Sequence, residues 1–135
     1  MDVSAALQSP PTQERPRADH ERGLLAGTRC SICGAPSWPA RSICHRCGSA
    51  EVASVCFEAT GTLLTYATVW VPRPGLDVPY TLGQVHVDAD GPVVFGHIRG
   101  LHDGAEVPCP VRLFLAADRG ETPWYWFQPE DDLNG

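Results

Sequence analysis

The sequence predicts a mainly β protein in which a small cysteine module precedes a five-stranded barrel. Three observations predict it. Cys30 and Cys33, and Cys44 and Cys47, form two Cys-x-x-Cys pairs, each followed by glycine. From Glu51 onward, short Val-, Leu- and Thr-rich segments alternate with polar residues at a period of two. The chain has 135 residues, which allows one ordinary domain or two small modules. It is too short for an eight-fold βα barrel or a full dinucleotide-binding enzyme.

Residues 1–18 are rich in Ser, Pro, Gln and Arg and are expected to be a disordered arm. Residues 19–26 are expected to form a short helix, with Asp19 as its cap, Leu24 and Leu25 as its apolar residues, and Gly27 ending it. Helix and cysteine module together occupy residues 19–50. Strands are expected over 52–59, 61–71, 80–89, 93–99, 111–116 and 124–128. Val85 and Val87 alternate with Gln84, His86 and Asp88, as on a half-buried strand, and Val111, Leu113 and Leu115 do the same. Asp88-Ala89-Asp90-Gly91 reads as a hairpin turn, and Pro72-Arg73-Pro74-Gly75 opens a stiff loop closing at Pro79. The barrel is assigned to residues 51–130, as an OB-type or SH3-like closure, and residues 131–135 to a flexible tail.

The cysteine spacing carries chemistry. Two intervening residues let the chain curl so that both thiolates face one ion, and the following glycine lets the backbone turn away. Two such knuckles, ten residues apart, supply a tetrahedral set: Cys30, Cys33, Cys44 and Cys47. Zinc is the favoured ion, with an iron centre of rubredoxin type compatible with the same ligands. Four thiolates leave no position for water, so the ion would be structural. His45, inside the second knuckle, is read as a surface neighbour rather than a ligand. Cys56 is read as a small core residue and Cys109, between two prolines, as a loop or strand-start residue.

Composition narrows function. The formal net charge is −6, and all ten cations are arginine. The absence of lysine excludes Schiff-base chemistry and a phosphate-loop lysine. Residues 61–135 hold ten acids and four arginines, so the whole net charge lies there. An acidic barrel argues against nucleic acid and membrane surfaces as partners. No apolar stretch has the length of a membrane span or the pattern of a secretory leader, so a cytoplasmic protein with reduced thiols is expected. No Gly-x-Ser-x-Gly elbow or His-Glu-x-x-His helix occurs. His86 and His97 fall on neighbouring expected strands, where one slip of register reverses the face. They are read as exposed sheet residues. Strand alternation sets Trp124 and Trp126 on one face, Tyr125 and Phe127 on the other.

Several segments together resemble a known family. They are Arg29-Cys30-Ser31-x-Cys33-Gly34, Trp38-Pro39-Ala40-Arg41, Cys44-x-x-Cys47-Gly48, Gly61-Thr62-Leu63-Leu64-Thr65-Tyr66, Pro79-Tyr80-Thr81-Leu82, Gly96-His97-Ile98-Arg99-Gly100 and the finish Trp124-Tyr125-Trp126-Phe127-Gln128-Pro129. Over residues 19–129 the chain resembles the acyl-CoA-associated OB-fold proteins with an N-terminal rubredoxin-like zinc ribbon. It departs from them in carrying His45 where proline usually follows the third cysteine, and in lacking an aromatic in the helix ahead of the ribbon.

The resemblance implies a non-catalytic accessory subunit of a thiolase-fold enzyme acting on acyl-CoA. The preferred partner is a steroid side-chain retro-aldolase and the next an acetyl-transferring thiolase; some relatives are fused to an enoyl-CoA hydratase subunit of the same pathway. Acyl-CoA would then be a ligand of the complex. Trp70, Pro79, Tyr80, Arg99, Trp124 and Trp126 are the candidates for the acyl-CoA path or the partner contact. With few barrel arginines, the partner enzyme is expected to hold the nucleotide end of the CoA. The other readings are a single-strand nucleic-acid module and an independent enzyme using Cys109 or a strand histidine.

Overall fold

The structure, a computed structural model, describes residues 17–102, 104–117 and 123–130. The tail expected at 131–135 and all but the last two residues of the expected arm lie outside the described residues. Nine strands are described: β1 (Ala18–Asp19), β2 (Leu24–Cys30), β3 (Pro36–Ser37), β4 (Val52–Cys56), β5 (Thr60–Val69), β6 (Tyr80–Val87), β7 (Val93–Ile98), β8 (Cys109–Leu115) and β9 (Tyr125–Pro129). No helix among the described residues is long and apolar enough to cross a membrane.

The expected helix at 19–26 is a hairpin. Asp19 does use its side chain locally, its Oδ1 accepting from the N–H groups of Glu21 and Arg22 at 3.1 and 3.2 Å. Those bonds close a turn instead of capping a helix, because Gly23 at φ +70° reverses the chain. Leu24 and Leu25 then pair with Asp19 and Ala18. The segment of Val52–Cys56, expected as the first barrel strand, also belongs elsewhere. It runs antiparallel to β2 from Cys30↔Val52 to Ala26↔Cys56. Its side chains are exposed or half-buried, so its alternation reports a ribbon edge and not a barrel wall.

The barrel itself closes in the order β5-β6-β7-β9-β8. All its neighbours are antiparallel except β7 and β9, which run parallel through His97↔Trp126 and Ile98↔Phe127. This is the five-stranded Greek-key closure expected of an OB-type barrel. β5 is long enough to serve two neighbours. Its first residues pair with β8 while most of the strand pairs with β6, and the register shifts between Leu63 and Thr65. The shift turns Leu64 outward on a bulge. The β6–β7 turn is the one read from sequence, with Ala89 and Asp90 both at positive φ.

One core joins the two parts. Leu63, Val85, Val87, Val94, Ile98, Val111, Leu113 and Phe127 fill the barrel, and Leu25 and Phe57 from the ribbon side are buried in the same cluster. The Phe57 N–H donates to the Leu25 carbonyl at 2.9 Å, locking the ribbon's exit to β2. Truncating a buried side chain of this size costs about 3–5 kcal/mol. Gly27 permits the close approach. A Cβ there would overlap the Ser37 carbonyl oxygen and lie 2.8 Å from the Phe57 ring. Backbone cannot move aside as a flexible side chain can. Gly27→Ala is therefore expected to lower unfolding stability by about 2–3 kcal/mol, read as a fall in the urea midpoint. A change within error would show that β2 and β3 do not pack this closely.

Candidate metal centre and barrel surface

The two knuckles are built alike. The Gly34 N–H donates to the Cys30 carbonyl and the Gly48 N–H to the Cys44 carbonyl, each at 3.0 Å. Both glycines lie near φ +80°, a left-handed conformation that costs a residue with a Cβ. In each knuckle the first sulfur accepts two backbone N–H bonds. Ile32 and Cys33 donate to Cys30 Sγ at 3.4 and 3.5 Å, and Arg46 and Cys47 to Cys44 Sγ at 3.3 and 3.5 Å.

The four sulfurs lie within 4.8 Å of one another. Cys30 and Cys47 are 3.6 Å apart and Cys33 and Cys44 are 3.5 Å apart. Tetrahedral sites with metal–sulfur bonds of about 2.3 Å place their sulfurs about 3.8 Å apart, so the arrangement fits one ion. Ala35 and Val52 complete a small cluster around it.

Protonation chemistry agrees. The Cys33 N–H, aided by that of Ile32, holds the Cys30 thiol below its ordinary range. The Cys47 N–H, with that of Arg46, brings Cys44 down to about 6. Cys47 behaves oppositely: the Ser49 N–H favours its thiolate, but crowding by the Cys30 sulfur, burial and the other two sulfurs push it up to about 12. Four like charges do not share this volume without a cation, and a divalent ion supplies it. His45 is outside the set; its ring Nδ1 is 3.0 Å from Ser37 Oγ.

The barrel candidates divide into groups. Pro79 and Tyr80 meet Arg99 along a groove of about 420 Å³ that also contains His97. Tyr80 and His97 have ring centroids 5.3 Å apart. Burial, then the Arg99 charge, lower the His97 pKa from its ordinary value. Arg99 lies over the Trp126 ring, 4.0 Å from its centroid, and Trp126 stacks on Phe114 at 6.2 Å and 14°. Trp124 is drawn the other way. It contacts Trp38 of the ribbon and His20, each at 6.2 Å. Tyr125 packs edge-on against Trp38 at 5.3 Å and donates its hydroxyl to the Phe95 carbonyl at 2.6 Å.

Trp124 precedes β9, so the expected pairing of Trp124 with Trp126 on one face does not hold. Trp126 faces outward, Phe127 is in the core, and Trp124 joins the ribbon seam. Trp70 lies just beyond β5, 69% exposed. His86 and His97, considered together in the sequence, are separate: His86 borders the ribbon and His97 the groove of Tyr80. Cys56 is half-buried on β4, not a core residue, and Cys109 is half-buried as the first residue of β8. Asp103, between His102 and Gly104, lies outside the described residues. Sequence reasoning missed the Trp38 seam and the Tyr80–His97 pair, because strand order and register decide both.

Residues 21–53 match the ChsH2 rubredoxin-like zinc ribbon domain. Among solved structures, the chain is similar to a chain of the Ltp2-ChsH2(DUF35) aldolase, with 25% identity and a TM-score of 0.65 over 86% of this chain and 99% of that one. It is also similar in fold to a DUF35-family protein of unknown function from Sulfolobus solfataricus, with 16% identity and a TM-score of 0.62 over 90% of this chain and 87% of that one. With its ribbon at the N-terminus and the closed barrel behind it, the chain resembles these DUF35 proteins over ribbon and barrel together, and its residues 21–53 form a zinc ribbon of the ChsH2 type.

Proposed function

We propose that this protein is the non-catalytic accessory subunit of a thiolase-fold enzyme acting on acyl-CoA, with a steroid side-chain retro-aldolase as the partner. One observation carries the reading: the likeness to a chain of the Ltp2-ChsH2(DUF35) aldolase spans ribbon and barrel together, at 25% identity. A shared ribbon alone would speak only for a metal site. In this reading the thiolase-fold subunit supplies the reacting groups in the cytoplasm, and the barrel presents Tyr80, Arg99 and Trp126 to the partner or to the acyl-CoA path. The ion is zinc and its part is structural, because four thiolates fill its coordination.

Two experiments test this. Affinity purification from the native host is expected to recover a thiolase-fold polypeptide in stoichiometric amount. The pair should cleave a steroid side-chain thioester that neither polypeptide cleaves alone. Recovery of no such polypeptide, or turnover by the isolated chain, would overturn the reading. Elemental analysis should find about one zinc per chain, and Cys44→Ser should lose it. On chelation, amide exchange should rise first at residues 30–35 and 44–48, while β6 and β7 stay protected. Full metal retention by Cys44→Ser would contradict the ligand set.

A further inference from the structure

Three neighbouring strands of the barrel carry no carboxylate and no guanidinium. The ten residues of β5, the eight of β6 and the six of β7 include no Asp, Glu or Arg, in a chain where charged residues make up 19%. The inward side chains, among them Leu63, Val85 and Val94, account for half of this, because a core excludes charge. The outward ones are under no such constraint. Register sets Thr65, Gln84 and Phe95 side by side across the three strands, and His86 beside Val93. All five are exposed.

The same outer face is apolar where a solvated barrel wall would carry charge. Phe95 is 59% exposed, Val93 54%, and Leu64 on the bulge 42%. Trp70, Val71 and Val78, exposed as well, follow in the connection from β5 to β6. With about 3.3 Å per residue and about 4.8 Å between strands, the three-stranded face measures about 26 Å by about 14 Å. Loss of charge together with exposed aromatic and aliphatic side chains is the composition of an interface core.

We infer that this face binds a second copy of the chain, the β5–β7 faces of the two copies stacking across a two-fold axis. Charge selects the occupant. Each chain carries a net −6, so two copies repel wherever their acids approach. In a two-fold interface a patch meets itself, and an acid or an arginine near the axis would face its own like. A face with neither is self-complementary. A second copy also has the same strand twist, which lets two sheets stack at about −30°. A foreign partner of an acidic chain is selected through opposite charge, and these strands offer it none. The footprint lies at the small end of specific interfaces, so a dissociation constant in the micromolar range is expected. The identity of a thiolase-fold subunit does not enter this inference.

The test is analytical ultracentrifugation of the full, zinc-loaded chain from micromolar to millimolar concentration. A reversible monomer–dimer equilibrium is expected, and added salt should not weaken it, because it rests on no ion pair. Phe95→Arg, at an exposed position, should raise the dissociation constant at least tenfold with the zinc content unchanged. In the wild-type protein, dilution should shift the amide resonances of Thr65, Gln84 and Phe95 and leave those of Ile32 and Ile43, exposed on the ribbon, unmoved. That readout is independent of whether the variant folds. A chain that stays monomeric at millimolar concentration, a dimer dissolved by salt, shifts confined to the ribbon, or undiminished association of Phe95→Arg would overturn the inference. So would a co-purified polypeptide that the wild-type chain holds and Phe95→Arg loses, since the face would then belong to that partner.

Discussion

Four cysteine sulfurs within 4.8 Å of one another are the constraint on which the N-terminal half depends. As thiolates they repel, and as thiols they offer weak bonds. An ion converts this crowding into attraction. The protein contributes what an ion cannot: backbone N–H groups aimed at Cys30 and Cys44, and left-handed glycines that turn each knuckle away. These features lower the cost of ionising two of the four thiols, Cys30 and Cys44. They also explain how a segment with so few apolar residues keeps one shape. Its core is two cysteines, Ala35 and the partly buried Cys33 and Val52, far too little to offset chain entropy without metal.

The ribbon's order then reaches the barrel through β2. One end of that strand is Cys30, the first of the four clustered cysteines, and the other carries Leu25 into the barrel core. Between them Gly27 admits the Ser37 backbone and the Phe57 ring at close range. Trp38 adds an aromatic seam with Trp124 and Tyr125, and Arg29 bridges to the β6–β7 turn. Apolar burial, edge-on aromatics and a charged donor thus meet along one boundary. Ribbon and barrel are consequently one packed body, although the sequence reads as two modules.

The legible parts were those written in local spacing. The Cys-x-x-Cys-Gly repeats pointed to the four cysteines whose sulfurs cluster, and the alternation at Val85, Val87, Val111 and Leu113 marked buried barrel positions. The Asp88–Gly91 turn was readable because it is local. Two expectations failed for nonlocal reasons. Asp19 satisfies neighbouring N–H groups in a helix cap and in a turn alike, and pairing of Leu24 with Asp19 decided between them. Val52–Cys56 has strand composition, but only its pairing with β2 assigns it to the ribbon. The candidate groove was half legible. Pro79, Tyr80 and Arg99 were named, while His97 joined them through the β6–β7 register of Leu82↔His97.

Charge gains meaning once the boundary is known. By sequence the acids gather after residue 60, and the ribbon is merely neutral. Folding does not preserve that average. It turns Arg29, Arg41 and Arg46 toward one side of the ribbon and brings up β6 and the following turn, which contribute His86 and Asp90. The acidic barrel therefore supplies little opposing charge at the place where the arginines concentrate. The packing that lets Leu25 complete the barrel core is thus also what brings three arginines to the border of one cleft.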